Sequence, residues 1–253
     1  MKGVAFDLDG VITDTAKFHF EAWSKLALEK FDLELPAEFE SQLKGISRIE
    51  SLERILAFGK LSGKYTPAQV AELADEKNTY YVAAISKLTQ ADILPGISQL
   101  LADLKAQQVK LSLASASKNA PMILEKLGLL TYFDAIVDPS KLKAGKPAPD
   151  IFIEAAKAVG LAPSECVGLE DASAGVAAIK AAGMVAVAIG DKEELAQADT
   201  VVSSTADLNY DLLVTSYQQA QGKWTLNYSN STIGVERESF CPFLWIGKGM
   251  IKW

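Results

Sequence analysis

A set of short runs, nearly continuous in apolar residues, constrains the fold more than anything else in this chain. They are Val4-Ala5-Phe6, Leu111-Ser112-Leu113-Ala114, Ala135-Ile136-Val137, Val167-Gly168-Leu169, Val185-Ala186-Val187-Ala188-Ile189 and Val201-Val202. A strand with one wet face alternates apolar and polar residues. A strand that does not alternate is buried on both faces, which is the situation inside a parallel sheet. From Leu111 onward, helical stretches over 120–127, 150–159 and 173–182 separate the runs. Strand and helix taking turns implies a doubly wound α/β fold, a parallel sheet with helices on both faces.

The first strand breaks this rhythm. Between it and the first crossover helix, near 96–107, the sequence reads as helix only, over 15–30, 37–43, 48–57 and 67–87. Such an insertion is too large for a loop. A separate helical domain over 15–91 is expected, hinged at both ends to a core made of 1–14 and 92–217, with Pro95-Gly96 marking the return. The tail, 218–253, shows no clear period and reads in part as loop. With 253 residues, 49% of them hydrophobic, the chain can bury a core domain and a smaller one.

The formal net charge is -7. An acidic surface repels nucleic-acid backbones and anionic lipid headgroups, so neither is an expected partner. No apolar run is long enough to cross a bilayer. Met1 to Phe6 runs straight into a core strand and leaves no room for a signal peptide. The cysteines, Cys166 and Cys241, form neither a disulfide framework nor a zinc-ligand cluster, and Cys166 reads as a small buried apolar residue. A protein of a reducing cytoplasm is expected.

Four segments carry chemistry. Asp7-Leu8-Asp9-Gly10 follows the first buried strand, and ligands of open parallel sheets sit at the carboxyl ends of strands. Side chains two apart on a strand point the same way, so Asp7 and Asp9 are placed to face one substrate. Two carboxylates this close repel, and a bound cation relieves that. Oxygen ligands suit a hard ion, magnesium before zinc. The same residues also fit an acidic turn with Thr15 capping the next helix. Glu170-Asp171 again follows a buried strand and offers further metal ligands, although Asp171 also fits a cap for the helix starting near Ser173. Ser115-Ala116-Ser117-Lys118-Asn119 ends a strand and opens a helix, where free N–H groups and the helix dipole favour a phosphate. Lys146, held before Pro147, can place a point charge near the carboxylates. His19, four residues from Thr15, shares its helix face. It fits either a group near Asp9 or a packing residue beside Phe20 and Trp23.

These segments, in this order and each after a strand or in a rigid loop, resemble the haloacid dehalogenase superfamily over roughly residues 1–215. Within it, residues 6–15, His19, 44–48, 113–119 and 146–152 are similar to the β-phosphoglucomutase group. The resemblance implies that Asp7 is a nucleophile forming an aspartyl phosphate and that Asp9 is the general acid/base, with His19 near it. It implies one Mg2+ held by Asp7, the Asp9 carbonyl and Asp171, with Glu170 close by. Ser115 and Lys146 would bind the transferring phosphoryl group. The second phosphate would meet Arg48 from the helical cap, with Ser117, Lys118 and Asn119 from the core. Trp23, Gly45, Ile46, Lys77, Asp9 and Ala116 join the expected sugar-phosphate contacts. The implied activity is conversion of β-D-glucose 1-phosphate to D-glucose 6-phosphate, with glucose 1,6-bisphosphate as primer and intermediate, by a monomer.

The alternative is a sugar-phosphate phosphatase of the same fold, with water as acceptor. A phosphosugar-binding protein without catalysis is disfavoured, because binding alone needs no nucleophile beside an acid. Gly59 to Tyr65 resembles a P-loop superficially, but its glycine spacing is wrong and Tyr65 stands where a metal-binding hydroxyl is needed.

Overall fold

The computed structural model describes residues 1–43 and 46–222. Its centre is a 6-stranded parallel sheet in the order β3-β2-β1-β4-β5-β6. The strands are β1 (Gly3–Phe6), β2 (Lys110–Leu113), β3 (Ala135–Ile136), β4 (Cys166–Glu170), β5 (Val185–Ile189) and β6 (Thr200–Val202). The chain winds outward from β1 to β3, then returns to build β4 to β6 on the other side. The crevice at that reversal, beyond the carboxyl ends of β1 and β4, is where ligands of such sheets bind.

The near-continuous apolar runs have the expected cause. Val4, Phe6, Leu111, Leu113, Val185 and Val187 face one core cluster, while Ala5, Ala114, Ala186 and Ala188 face another. The second face is built of small residues. On it lie α6 (Asp150–Ala158) and α7 (Ser173–Ala182), through Phe152, Val176 and Ile179. The first face takes α4 (Ile97–Ala106), α5 (Ala120–Lys126) and α8 (Tyr210–Ala220). The edge strands β3 and β6 are half-buried and not fully buried as their apolar runs suggest, because each has a neighbour on one side only.

Between β1 and α4 lie α1 (Ala16–Phe31), a 3-10 helix (Ala37–Leu43), α2 (Arg48–Phe58), α3 (Pro67–Ile85) and a short 3-10 turn (Gln90–Asp92). The stretch 37–43 is thus 3-10 where a plain helix is expected. The segment has an apolar cluster of its own around Trp23, Leu26, Phe39, Leu52 and Ile55. It also shares the main core, into which Ala22, Tyr81, Ile85 and Leu88 reach. The two crossings lie side by side. Thr13 pairs with Ile93 in an antiparallel bridge, Leu94 N–H donates to the Ile12 carbonyl at 2.9 Å, and the Thr13 hydroxyl donates to the Asp92 carbonyl at 2.7 Å.

Cys166 is buried, as its apolar neighbours imply. The tail beyond residue 222, with Cys241, lies outside the described residues, as do Lys44 and Gly45.

Candidate active site

The turn after β1 sets the first carboxylates. The Ile12 N–H donates to the Leu8 carbonyl at 2.8 Å and the Gly10 N–H to the Thr13 carbonyl at 2.9 Å, which folds the chain back just after the strand. Gly10 has φ +72°, and a Cβ there would overlap the Asp171 carboxylate. Only glycine meets both demands. This close approach brings Asp171, after β4, against the turn after β1.

Asp7, Glu170 and Asp171 each offer an oxygen within 4.8 Å of the others. Lys146 Nζ donates to Asp7 Oδ1 at 2.6 Å and to Glu170 Oε1 at 2.6 Å. Glu170 Oε2 accepts the N–H groups of Asp171 and Ala172 at 2.7 and 2.8 Å. Glu170 therefore holds the two residues that lead into α7. A Cβ on Gly175 would overlap this carboxylate, so the missing side chain makes room for it. Burial pushes the Asp7 carboxyl well above its usual range; the Lys146 charge opposes this, and the Glu170 and Asp9 charges add to it. Burial also works against the Lys146 charge, but Asp7 and Glu170 outweigh it and hold the ammonium above its usual range.

The donor set fits a hard divalent cation. It is all oxygen and largely buried, and Asp7, Glu170 and Asp171 each bring a carboxylate oxygen to one place. The cap position of α7 is not Asp171, where one reading of the sequence puts it. Ala172 takes that position, with no side-chain cap.

A cavity of about 310 Å³ lies between these carboxylates and the helical segment. Its sheet side holds Asp7, Asp9, Asp171 and residues 115–119. Its helical side holds His19, Trp23, Ile46, Arg48 and Lys77. The expected residues are thus brought together, with three exceptions. Lys146 and Glu170 are buried against Asp7 and do not border the cavity, and Gly45 lies outside the described residues.

The loop 115–119 offers fewer free donors than its sequence suggests. Two of its N–H groups are already used, because Ser117 N–H donates to Ser115 Oγ at 3.1 Å and Asn119 N–H to Ser117 Oγ at 3.3 Å. The helix that follows, α5, is only 7 residues long, so its dipole is short.

On the helical side, Ser47 caps α2 by accepting the Glu50 N–H at 3.2 Å, which sets Arg48 at the first turn. Arg48 Nη1 donates to Asp75 Oδ1 and Nη2 to Asn78 Oδ1, both at 2.9 Å. Helix α3 starts on a Thr66–Gln69 capping box with Pro67 in its first turn. Its buried stripe carries Ala74, Lys77 and Tyr81 at helical spacing. Lys77 Nζ lies 2.5 Å from His19 Nδ1, and its ammonium sits 4.8 Å from the Trp23 ring centre and 4.7 Å from that of Tyr81. The His19 and Tyr81 rings stack at 3.8 Å. Burial and the Arg48 charge lower Lys77 to about 7. Burial, then the Lys77 and Arg48 charges, hold His19 well below its usual value. The Lys77 and His19 side chains share this hydrogen bond.

Asp9 is partnered by Thr15, whose hydroxyl donates to Asp9 Oδ1 and lies 3.0 Å from the Tyr81 hydroxyl. Thr15 stands at the cap position of α1, yet its side chain does not cap the helix. That corrects the reading of Thr15 as a plain N-cap, and the contact with Asp9 comes from Thr15 and not from His19. Burial pushes the Asp9 carboxyl up, against the Thr15 hydrogen bond and the Lys146 and Lys77 charges.

The family model described as haloacid dehalogenase-like hydrolase matches residues 1–183. The chain belongs to this family. It is 51% identical over 219 residues to the β-phosphoglucomutase of Bacillus subtilis (strain 168), covering 87% of this chain and 96% of that one. It is 31% identical over 185 residues to a fructose-1-phosphate phosphatase of Escherichia coli (strain K12), covering 73% of this chain and 94% of that one. The crystal structure of a β-phosphoglucomutase from Clostridium difficile is similar with TM-score 0.86 and 45% identity, covering 88% of this chain and 99% of that one.

The motifs in the sequence do not single out Asn78, Tyr81 or Gly175, each of which meets a residue of the site. Tyr81 carried a signal, since a tyrosine four residues after Lys77 shares its helix face. Asn78 and Gly175 carried none that separates them from ordinary helix residues. Among the described residues no helix is long and apolar enough to cross a membrane.

Proposed function

We propose that the chain isomerises β-D-glucose 1-phosphate to D-glucose 6-phosphate, primed by glucose 1,6-bisphosphate and dependent on magnesium. The observation that carries this reading is a cavity with phosphate-type groups on two sides. Asp7, with Lys146 buried behind it, stands with Ser115, Lys118 and Asn119 on the sheet side, and Arg48 faces them from the helical side. A phosphatase needs to grip the one phosphate that leaves. A mutase must also grip the one that stays.

The chemistry divides among this chain's own residues. The phosphoryl group begins on Asp7. The sugar 6-hydroxyl attacks phosphorus while Asp9 takes its proton, the acyl-phosphate bond breaks, and glucose 1,6-bisphosphate forms. The bisphosphate turns over. Asp7 then attacks the 1-phosphate, the bond from phosphorus to the sugar oxygen breaks, and Asp9 returns its proton to that oxygen. General acid/base assistance of this kind is worth about 10² to 10⁴ in rate. Magnesium held by Asp7, the Asp9 carbonyl and Asp171, with Glu170 beside it, supplies charge neutralisation at the transferring group. Ser115 and Lys146 orient that group, and Ser117, Lys118, Asn119 and Arg48 hold the other phosphate. Trp23, Ile46 and Lys77 border the sugar, and His19 acts through Lys77. Phosphoryl transfer depends on such positioning and charge neutralisation more than on new covalent chemistry.

The helical segment, residues 15–91, is the cap over a core of 1–14 and 92–217, and its closure keeps water from the phosphoaspartate. A cytoplasmic monomer completes the reading.

The test measures glucose 6-phosphate and free phosphate together from β-glucose 1-phosphate with primer. Wild type should give mainly the sugar product. Arg48→Ala should slow isomerisation at least tenfold and hydrolysis of the phosphoaspartate much less. Free phosphate as the main wild-type product, or equal losses in the variant, would favour the phosphatase that the Escherichia coli relative represents.

A further inference from the structure

Asn78 sits where the two sides of the cavity meet. Its Oδ1 accepts Arg48 Nη2 at 2.9 Å from the helical side and Asn119 Nδ2 at 2.8 Å from the loop after β2. The amide orientation is fixed by chemistry. A guanidinium has donors only, so the Asn78 atom facing it is the oxygen. Asn119, meeting that same oxygen, must present its nitrogen. One carbonyl oxygen thus joins a cation of α2 to an amide of the sheet unit, with Asp75, one turn earlier on α3, steadying the other arm of the guanidinium at 2.9 Å. Asn78 is half-buried, so the bridge is partly shielded from water.

We infer that Asn78 is a positioning residue for the phosphate that is not transferred. This rests on the mutase reading above. By holding Arg48 and Asn119 on one oxygen, it fixes the spacing across the cleft and leaves the remaining N–H groups of both residues for one shared anion. With one hydrogen given to Asn78 and one to Asp75 the guanidinium keeps three N–H donors, and with one given to Asn78 the Asn119 amide keeps one. The neutral amide is suited to this task. A carboxylate at position 78 would keep both hydrogen bonds yet place a negative charge beside the phosphate. An apolar residue would release both donors.

The test uses the full chain with magnesium and two reactions. One is primed isomerisation, which needs the second phosphate site. The other is hydrolysis of acetyl phosphate, which offers one phosphoryl group and nothing for that site. The readout is the ratio of kcat/KM for the bisphosphate-dependent reaction to kcat/KM for acetyl phosphate. In Asn78→Ala this ratio should fall at least fivefold, mainly through KM for glucose 1,6-bisphosphate. In Asn78→Asp it should fall further. A fall of less than fivefold in Asn78→Ala, or an Asn78→Asp enzyme no worse than the alanine variant, would overturn the inference. If wild type hydrolyses acetyl phosphate but forms no glucose 6-phosphate, it is the mutase reading that fails. The inference is then read by calorimetry with glucose 1,6-bisphosphate: binding at least fivefold weaker in Asn78→Ala supports it, and equal binding ends it.

Discussion

The Lys146 ammonium rests 2.6 Å from Asp7 Oδ1, with 1% and 7% of the two side chains exposed. The contact lies within a triad, since Glu170 takes the same ammonium from the other side. Removing one partner of a buried ion pair leaves an uncompensated charge, typically at about 3–5 kcal/mol. Lys146→Ala should therefore be destabilised by roughly that amount in chelator. Magnesium should recover part of the loss, because the ion neutralises the same carboxylates. Urea unfolding with and without magnesium measures both. A loss below about 1 kcal/mol in chelator would mean that Asp7 and Glu170 give up their charge when unpaired.

Gly175→Ala sets helix propensity against the site. Alanine is favoured over glycine in a helix interior by about 1 kcal/mol. Here the added Cβ would overlap the Glu170 carboxylate, which is held by Lys146 and two N–H groups. Moving Glu170 disturbs Lys146 and the position of Asp171. The variant should bind magnesium at least tenfold more weakly, as read by activity titration. Unchanged magnesium dependence would show that Glu170 has room to move without consequence.

Thr15→Val keeps the shape and removes the hydroxyl that Asp9 accepts. A hydrogen bond to a carboxylate favours its charged form, so its loss raises the Asp9 pKa further. Asp9 must be a carboxylate to take a proton from the sugar hydroxyl. The acid limb of the pH–rate profile should therefore move to higher pH. An unmoved limb would assign it to another group.

How much of this was legible in the sequence follows from what each feature depends on. The strands were, because burial on both faces leaves an uninterrupted apolar run, as in Val185 to Ile189. The carboxylates at strand ends were, because the topology of an open sheet gathers them. The role of Thr15 was not: a threonine before a helix is an ordinary cap, and only the fold-back at Gly10 brings Asp9 to it. Nor was the function of Gly175, since a helical glycine shows its purpose only when Glu170 fills the space beside it. Asn78 was invisible for a similar reason. Its partners, Arg48 and Asn119, lie 30 and 41 residues away, and no local pattern predicts such meetings.

Lys77 supplies the last prediction. It is buried among Trp23, Tyr81 and His19, and burial followed by the Arg48 charge lowers it to about 7. At pH 8 the empty enzyme therefore holds Lys77 mostly neutral. A phosphate dianion entering the cavity favours the charged form and raises the pKa again. Binding at pH 8 should then take up a proton, whereas at pH 6 the lysine already carries it. His19 is held well below its usual value by burial and then by the Lys77 and Arg48 charges. Calorimetric titration with glucose 1,6-bisphosphate in buffers of different ionisation enthalpy counts the protons. The phosphate's own ionisation contributes too, so the comparison is with Lys77→Met, in which that contribution remains and the lysine's is gone. Wild type should take up more protons than the variant at pH 8, by a sizeable fraction of one, and the two should converge at pH 6. The same shift has a sign in stability. Between pH 7 and 10.5 the unfolded chain holds this proton and the folded chain does not, so the residue's penalty on folding is full below 7 and fades as the pH rises through that window. Lys77→Met should accordingly gain stability over wild type as the pH falls from 10 to 7. Equal proton uptake by both proteins, together with parallel stability curves, would show that Lys77 keeps its charge in the empty site.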